Sequence, residues 1–155
     1  MTEEGAHSAS ELEDLLRRLE EARQALMDVL EGRDPEQFAA EDAVRQSIKQ
    51  MLERTADDLN FYYGRLVARA LSLPPPPCLQ RAEFGSLREA TVSLQGAHRR
   101  FCNLLHDLLP TDLEHTAADE ERGEYTLRQV LEMTVAHYEA QAQQLRRIAG
   151  LTGDQ

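Results

Sequence analysis

Apolar residues recur at steps of three and four in four separate stretches of the chain. This spacing places the apolar side chains on one face of an α-helix. The pattern predicts helices over about residues 10–31, 42–71, 86–109 and 127–149. No stretch alternates apolar and polar residues as a half-buried strand would, so we expect no sheet.

Helix boundaries are marked by residues that favour the first or last turn. Three stretches begin with the capping-box pattern, in which a serine or threonine precedes a glutamate or glutamine by three residues: Ser10 with Glu13, Ser86 with Glu89, and Thr126 with Gln129. In the second stretch, Asp42 is available as the N-cap. We expect Gly32, Pro110 and Gly150 to end helices.

Four amphipathic helices can bury their apolar faces only by packing together, which predicts an all-α four-helix bundle. A chain of 155 residues fits one domain, covering residues 1–155. The prolines at 74–77 remove four backbone donors, so we interpret them as an extended connector in a long crossover between the second and third helices. The acidic segment 111–123 has no period and predicts a loop, with one helical turn at 112–115.

The chain is strongly acidic, with 28 Asp and Glu against 17 Lys and Arg and a net charge of −11. This charge repels phosphate backbones and anionic lipid surfaces, so we expect neither a nucleic-acid nor a membrane partner. The first ten residues lack the basic and apolar segments of a secretion signal. Two cysteines cannot form a disulfide framework, which is typical of a reducing cytosol, and we predict a cytoplasmic protein.

Two polar positions near apolar faces are candidates for chemistry. His137 and Gln141 share the apolar face of the fourth predicted helix, where they could bind a ligand or form hydrogen bonds with each other or with a neighbouring helix. Arg54 lies at the edge of the apolar face of the second helix. It could hold an anionic ligand, or it could pair with Asp57 or Asp58 along the helix.

Other motifs favour structural roles. A ferritin-like di-iron site needs Glu-x-x-His on two helices. The residues three before His98, His106, His115 and His137 are Gln95, Asn103, Asp112 and Thr134, so the sequence excludes such a site, and Cys78 and Cys102 lack the partners of a zinc site. Cys102 is interpreted as a small core residue, His98 as a residue flanking the third apolar face, and Gly64 as the mark of a close helix contact.

Two segments resemble the DinB-like superfamily. Residues 47–58 (SIKQMLERTADD) are similar to its signature Trp-Ser-hydrophobic-x-x-hydrophobic-Leu-x-His-hydrophobic-x-Asp. Residues 125–131 (YTLRQVL), followed by 137–141 (HYEAQ), resemble its Thr-Leu-Arg-x-hydrophobic-Leu and His-x-x-x-His pattern. The resemblance implies a four-helix bundle with a long crossover, often a homodimer. Characterised members include mycothiol-dependent maleylpyruvate isomerase and bacillithiol S-transferases, in which a divalent metal activates a low-molecular-weight thiol.

The three metal-ligand positions of that family correspond to Arg54, His137 and Gln141. Only one of them is a histidine here. A guanidinium stays protonated and offers no free lone pair, and an amide oxygen is a weak donor. The signature tryptophan is also replaced, by Gln46. We therefore expect a degenerate metal site and no metal cofactor, with a bound divalent metal as the alternative.

Two functional hypotheses follow. In the first, the protein is a small-molecule-binding or dimeric structural protein that holds an anionic molecule against Arg54, with Tyr62, His137 and Gln141 nearby. In the second, it is a thiol-dependent S-transferase or isomerase, in which Arg54 orients a carboxylate or thiolate beside His137. A homodimer is expected in either case, and both hypotheses stay open at this point.

Overall fold

The computed structural model describes residues 3–31, 33, 36, 38, 47–74 and 80–153. Several positions named above lie outside these residues, namely Gly32, Asp42, Gln46, the prolines at 75–77 and Cys78. Among the helices of the described part of the chain, none combines the length and apolarity that crossing a membrane requires.

Four long helical segments confirm the predicted all-α bundle. The first is α1 (Glu3–Leu30), and the second runs without a break through α2 (Ile48–Asp58), a π-helix (Leu59–Tyr63) and α3 (Gly64–Ala70). The third and fourth are α4 (Leu87–Leu104) and α5 (Leu127–Gly153). α1 packs along α5, and α2 packs against α4 and α5. All four segments contribute to one apolar core, which includes Leu15, Leu26, Leu52, Leu66, Phe101, Leu131 and Leu145.

Two of the predicted N-caps, Ser86 and Thr126, begin helices where expected, but the capping box at Ser86 is incomplete because the Glu89 carboxylate accepts from the backbone N–H of Gly85 (3.0 Å). The Ser86 hydroxyl accepts a hydrogen bond from the backbone N–H of Glu89 (3.1 Å). Thr126 and Gln129 cap each other reciprocally, at 2.8 and 3.1 Å. A further capping box, not foreseen from the sequence, joins Ser47 to Gln50 at the start of α2.

Other predicted boundaries were wrong by several residues. α1 begins at Glu3, so Ser10 lies inside the helix, where its hydroxyl is not needed as a cap. α4 ends at Leu104 rather than near 109, and Asp107 then adopts a left-handed conformation with a φ of 63°. α5 continues past Gly150, because a helix tolerates a glycine at a cost of only about 1 kcal/mol.

In the segment 111–123 the predicted helical turn is confirmed, whereas the predictions of a loop over the remainder and of no sheet were wrong. A 3₁₀-helix (Pro110–Glu114) leads into an antiparallel hairpin of β1 (Thr116–Asp119) and β2 (Gly123–Thr126), in which Thr116 pairs with Thr126. Both strands are four residues long and too short to show an alternating pattern. β1 packs against α3, which stabilises the hairpin through a contact distant in sequence.

The π-helix depends on Gly64, the residue that follows it. The Gly64 N–H donates to the carbonyl of Leu59, five residues earlier. A β-carbon on residue 64 would lie only 2.6 Å from that oxygen and 3.9 Å from the side chain of Leu104. Gly64 therefore permits the wider turn. The helix contact predicted from the sequence does not require a glycine, because 3.9 Å is an ordinary van der Waals distance.

Candidate functional site

The candidate site lies between α2 and α5, where two polar side chains of α5 are buried. His137 and Gln141 are one turn apart, and the exposed fraction is 10% for the His137 side chain and 9% for Gln141. Within the described residues, neither His137 Nε2 nor Gln141 Oε1 has a hydrogen-bond partner. The interhelical and mutual hydrogen bonds considered from the sequence are thus not made by these two atoms. Buried polar atoms without partners are rare in proteins, so this pair marks the site.

Asp58 of α2 faces the histidine across this site. Its Oδ2 lies 3.5 Å from His137 Nε2, and its side chain is 37% exposed. Burial raises the pKa of Asp58, while the positive charges of His137 and Arg54 oppose that rise. Burial lowers the pKa of His137, and the carboxylate of Asp58 opposes that fall. Burial thus moves the two pKa values towards each other and disfavours the charged form of each group.

The π-helix supplies an aromatic wall. The Tyr63 ring is 5.2 Å from the His137 ring, and Tyr62 packs edge-on against Tyr63 at 5.0 Å. The Tyr62 hydroxyl donates to Asp119 Oδ2 on the hairpin (2.7 Å). Burial and this hydrogen bond raise the pKa of Tyr62 to about 12. Tyr62 therefore connects the site to the hairpin, and Tyr63 is the tyrosine that touches His137.

Arg54 lies one helical turn before Asp58 and is exposed. Its charge opposes the burial-driven rise in the pKa of Asp58 and contributes to the fall in that of His137, which places the guanidinium within electrostatic range of both. In the described part of the chain it forms no salt bridge with Asp57 or Asp58. Asp57 instead accepts a hydrogen bond from the backbone N–H of Ala82 (2.8 Å). Arg54 thus has its charge available at the solvent side of the site.

A second polar cluster, around His98 of α4, was missed from the sequence. His98 is buried and does not merely flank the apolar face. Its Nδ1 shares a hydrogen bond of 2.7 Å with the Tyr138 hydroxyl, and its Nε2 lies 3.3 Å from Glu20 and 3.2 Å from the Cys102 thiol. Burial raises the pKa of Cys102, which disfavours the thiolate. The four-residue spacing of His98 and Cys102 was the available signal, because it places both on one helix face.

The side chains present do not fit the metal centre that the family resemblance implies. Among the residues that the structure describes, no group of three or more His, Cys, Asp or Glu side chains is placed to hold a metal ion. Arg54 cannot serve as a ligand, because its guanidinium has no free lone pair. The remaining candidate metal ligands are His137, Asp58 and the amide oxygen of Gln141, which is a weak donor.

Comparison with known proteins identifies the family. A family model described as the DinB superfamily matches residues 18–145. No curated protein and no solved structure shows significant similarity to the chain. The matched region contains α2, α3, α4, the second half of α1 from residue 18, most of α5 and every residue of the candidate site. The chain belongs to the DinB superfamily.

Proposed function

We propose that this DinB-superfamily bundle binds a small polar molecule between α2 and α5 without the metal typical of the family. The observation that carries the proposal is that two buried atoms form no hydrogen bond in the described residues: Gln141 Oε1, and His137 Nε2, which lies 3.5 Å from Asp58 Oδ2. Leaving such a group unsatisfied costs about 1–3 kcal/mol. A ligand that forms hydrogen bonds with both atoms would recover part of this cost on binding.

The residues around these atoms define the chemistry of the ligand. Gln141 Oε1 and the Asp58 carboxylate are acceptors, so the ligand should carry a donor such as an ammonium or hydroxyl group. The exposed guanidinium of Arg54 favours an anionic group at the solvent side. A small molecule with both an amino and a carboxylate group meets these requirements, and L-cysteine is the simplest low-molecular-weight thiol of this kind.

Isothermal titration calorimetry with L-cysteine tests the site. We expect saturable binding to the native protein and about tenfold weaker binding to Gln141→Leu, which keeps the volume but removes the acceptor. His106→Ala is the matched control, since its side chain is 83% exposed and outside the site. Absence of binding, or equal binding to Gln141→Leu, would contradict the proposal.

Elemental analysis tests the absence of the metal separately. Protein dialysed against zinc or nickel and then against buffer should retain far less than one ion per chain, because Arg54 occupies a ligand position of the family. A content close to one metal per chain that disappears in His137→Ala would show that the metal site persists.

A second candidate function, thiol-dependent transfer, is favoured by the Asp58–His137 pair. In this reaction His137 Nε2 accepts the proton of a bound thiol, and the sulfur of that thiol forms a C–S bond with an electrophilic acceptor. The acceptor either loses chloride or opens an epoxide ring. If the protein only binds a small molecule, it should show no turnover with a thiol and such an acceptor. Turnover that is lost in both Arg54→Gln and Asp58→Asn would favour the enzyme instead.

We also propose a homodimer, on the grounds of family membership. Support from the chain itself is limited to a few exposed apolar side chains, including Val92 of α4, which is 60% exposed. Light scattering at micromolar concentration should give twice the chain mass of 17.6 kDa. A mass of one chain at that concentration would rule the dimer out.

A further inference from the structure

A cavity of about 380 Å³ opens where the π-helix and α3 face the turn of the hairpin. Three arginines line it. Arg65 and Arg69 are four residues apart on α3, so they share a helix face, and Arg122 reaches the cavity from the turn between β1 and β2. The hairpin, which the sequence did not predict, thus brings the third guanidinium to the other two.

None of these guanidiniums forms a salt bridge with a carboxylate of the described residues, although the charge of Arg122 helps to lower the pKa of Asp119. Arg69 donates to the backbone carbonyl of Ala118 (2.8 Å). Arg65 lies over the Phe61 ring at 5.2 Å, and Arg122 lies over the Tyr62 ring at 5.8 Å. Other arginines, such as Arg17, Arg23 and Arg128, form salt bridges with carboxylates. In the described residues, no carboxylate oxygen lies within 4.0 Å of a guanidinium nitrogen of Arg65, Arg69 or Arg122.

One of the three carboxylates that line the cavity is already engaged. Asp119 accepts hydrogen bonds from the Tyr62 hydroxyl (2.7 Å) and from the backbone N–H of Glu121 (2.9 Å). The side chains of Glu120 and Glu121 also line the cavity and are exposed. They add negative charge at the rim, which disfavours a long polyanion such as nucleic acid and restricts the site to a compact anion.

The arrangement of donors favours a tetrahedral anion. A planar carboxylate is matched by a single guanidinium, whereas a phosphate group can accept hydrogen bonds from several directions. Phe61 does not offer a free face to a nucleobase, because Arg81 covers its ring at 4.1 Å in addition to Arg65. The recognised chemistry is therefore the phosphate group itself.

We propose that the cavity formed by Arg65, Arg69 and Arg122 is a binding site for a small phosphate-bearing molecule. The site is separate from the pair of unpartnered atoms on α5, and it does not depend on the function proposed for them. Its three guanidiniums face three carboxylates of the same cavity, Asp119, Glu120 and Glu121, so the site depends on the direction of its hydrogen-bond donors and not on an excess of positive charge.

Calorimetric titration at low ionic strength, with inorganic phosphate and with glycerol 3-phosphate as separate probes, tests this site. Native protein should bind at least one of them, and Arg65→Gln and Arg122→Gln should each weaken binding about tenfold. Tighter binding of the ester would assign the site to a phosphate monoester, and tighter binding of inorganic phosphate would assign it to the free ion. Both results support the proposal.

Matched controls make the test specific. Arg88→Gln, an exposed arginine of α4 outside the cavity, removes the same charge and should leave binding unchanged. Circular dichroism of each variant without ligand checks that it is folded. The proposal is overturned if neither probe binds, if Arg88→Gln weakens binding as much as Arg122→Gln does, or if acetate binds as tightly as phosphate.

Discussion

Replacing Gly64 by alanine tests whether the π-helix is required by this fold. The new β-carbon would lie 2.6 Å from the backbone oxygen of Leu59. That oxygen accepts the hydrogen bond that closes the π-turn, so it cannot retreat without weakening the bond. The clash therefore involves backbone rather than the end of a flexible side chain, and the turn itself must rearrange.

Gly96→Ala provides a matched control in the middle of α4. A β-carbon there would meet only the end of the Arg100 side chain, at 3.5 Å, which can move. Both substitutions gain about 1 kcal/mol in helix propensity, so Gly96→Ala should be more stable than the native protein. Overpacking typically costs about 1–3 kcal/mol. Because the propensity gain cancels, Gly64→Ala should be less stable than Gly96→Ala by about that amount.

Urea unfolding followed by far-ultraviolet circular dichroism measures this difference. A second readout is the NMR signal of the His137 ring, which the Tyr63 ring contacts at 5.2 Å. Rearrangement of the π-helix should shift that signal in Gly64→Ala but not in Gly96→Ala. Equal stability of the two variants, with an unchanged His137 signal, would refute the assigned role of Gly64.

Three further predictions concern capping, buried hydrogen bonds and pH. Ser47→Ala removes the hydroxyl that accepts from the Gln50 N–H (3.1 Å), so it should lower the free energy of unfolding by about 1 kcal/mol. Ser10→Ala, inside α1, should leave the free energy of unfolding unchanged or raise it. Equal losses of stability for the two variants in urea unfolding would contradict the assignment of Ser47, and not Ser10, as an N-cap. Tyr138→Phe removes the partner of the buried His98 Nδ1 and should cost about 1–3 kcal/mol in the same assay; an unchanged midpoint would argue against that bond. Burial lowers the pKa of His98 below its unfolded value of 6.5, so its contribution to stability is present above that pH and is lost as the pH falls towards the folded pKa. An NMR titration that places the imidazole pKa above 6.5 would refute this reasoning.

The sequence by itself determined the helical architecture. Its apolar steps of three and four identify four faces that must be buried together, and the capping pairs Ser86 with Glu89 and Thr126 with Gln129 define two helix starts. These features were predictable because they depend on residues within one or two turns of each other. The burial of His137 and Gln141 on one face of α5 also follows from this local period.

Tertiary structure decided which polar groups meet. Asp58 faces His137 from a different helix, and Arg54, one turn away, remains exposed. Periodicity placed Arg54 near the edge of an apolar face, but the rotation of α2 against α5 determines which side chain enters the space between them. That rotation depends on packing among all the helices, which no local pattern encodes.

The hairpin and the π-helix likewise depend on the assembled chain. β1 pairs with β2 and packs on α3, and the Tyr62 hydroxyl reaches Asp119 across 57 residues. Four-residue strands have too few positions to reveal an alternating pattern, so their stability comes from partners distant in sequence. Arg65, Arg69 and Arg122 meet at one cavity for the same reason: the free energy of packing the hairpin on the bundle, and not any local preference, brings them together.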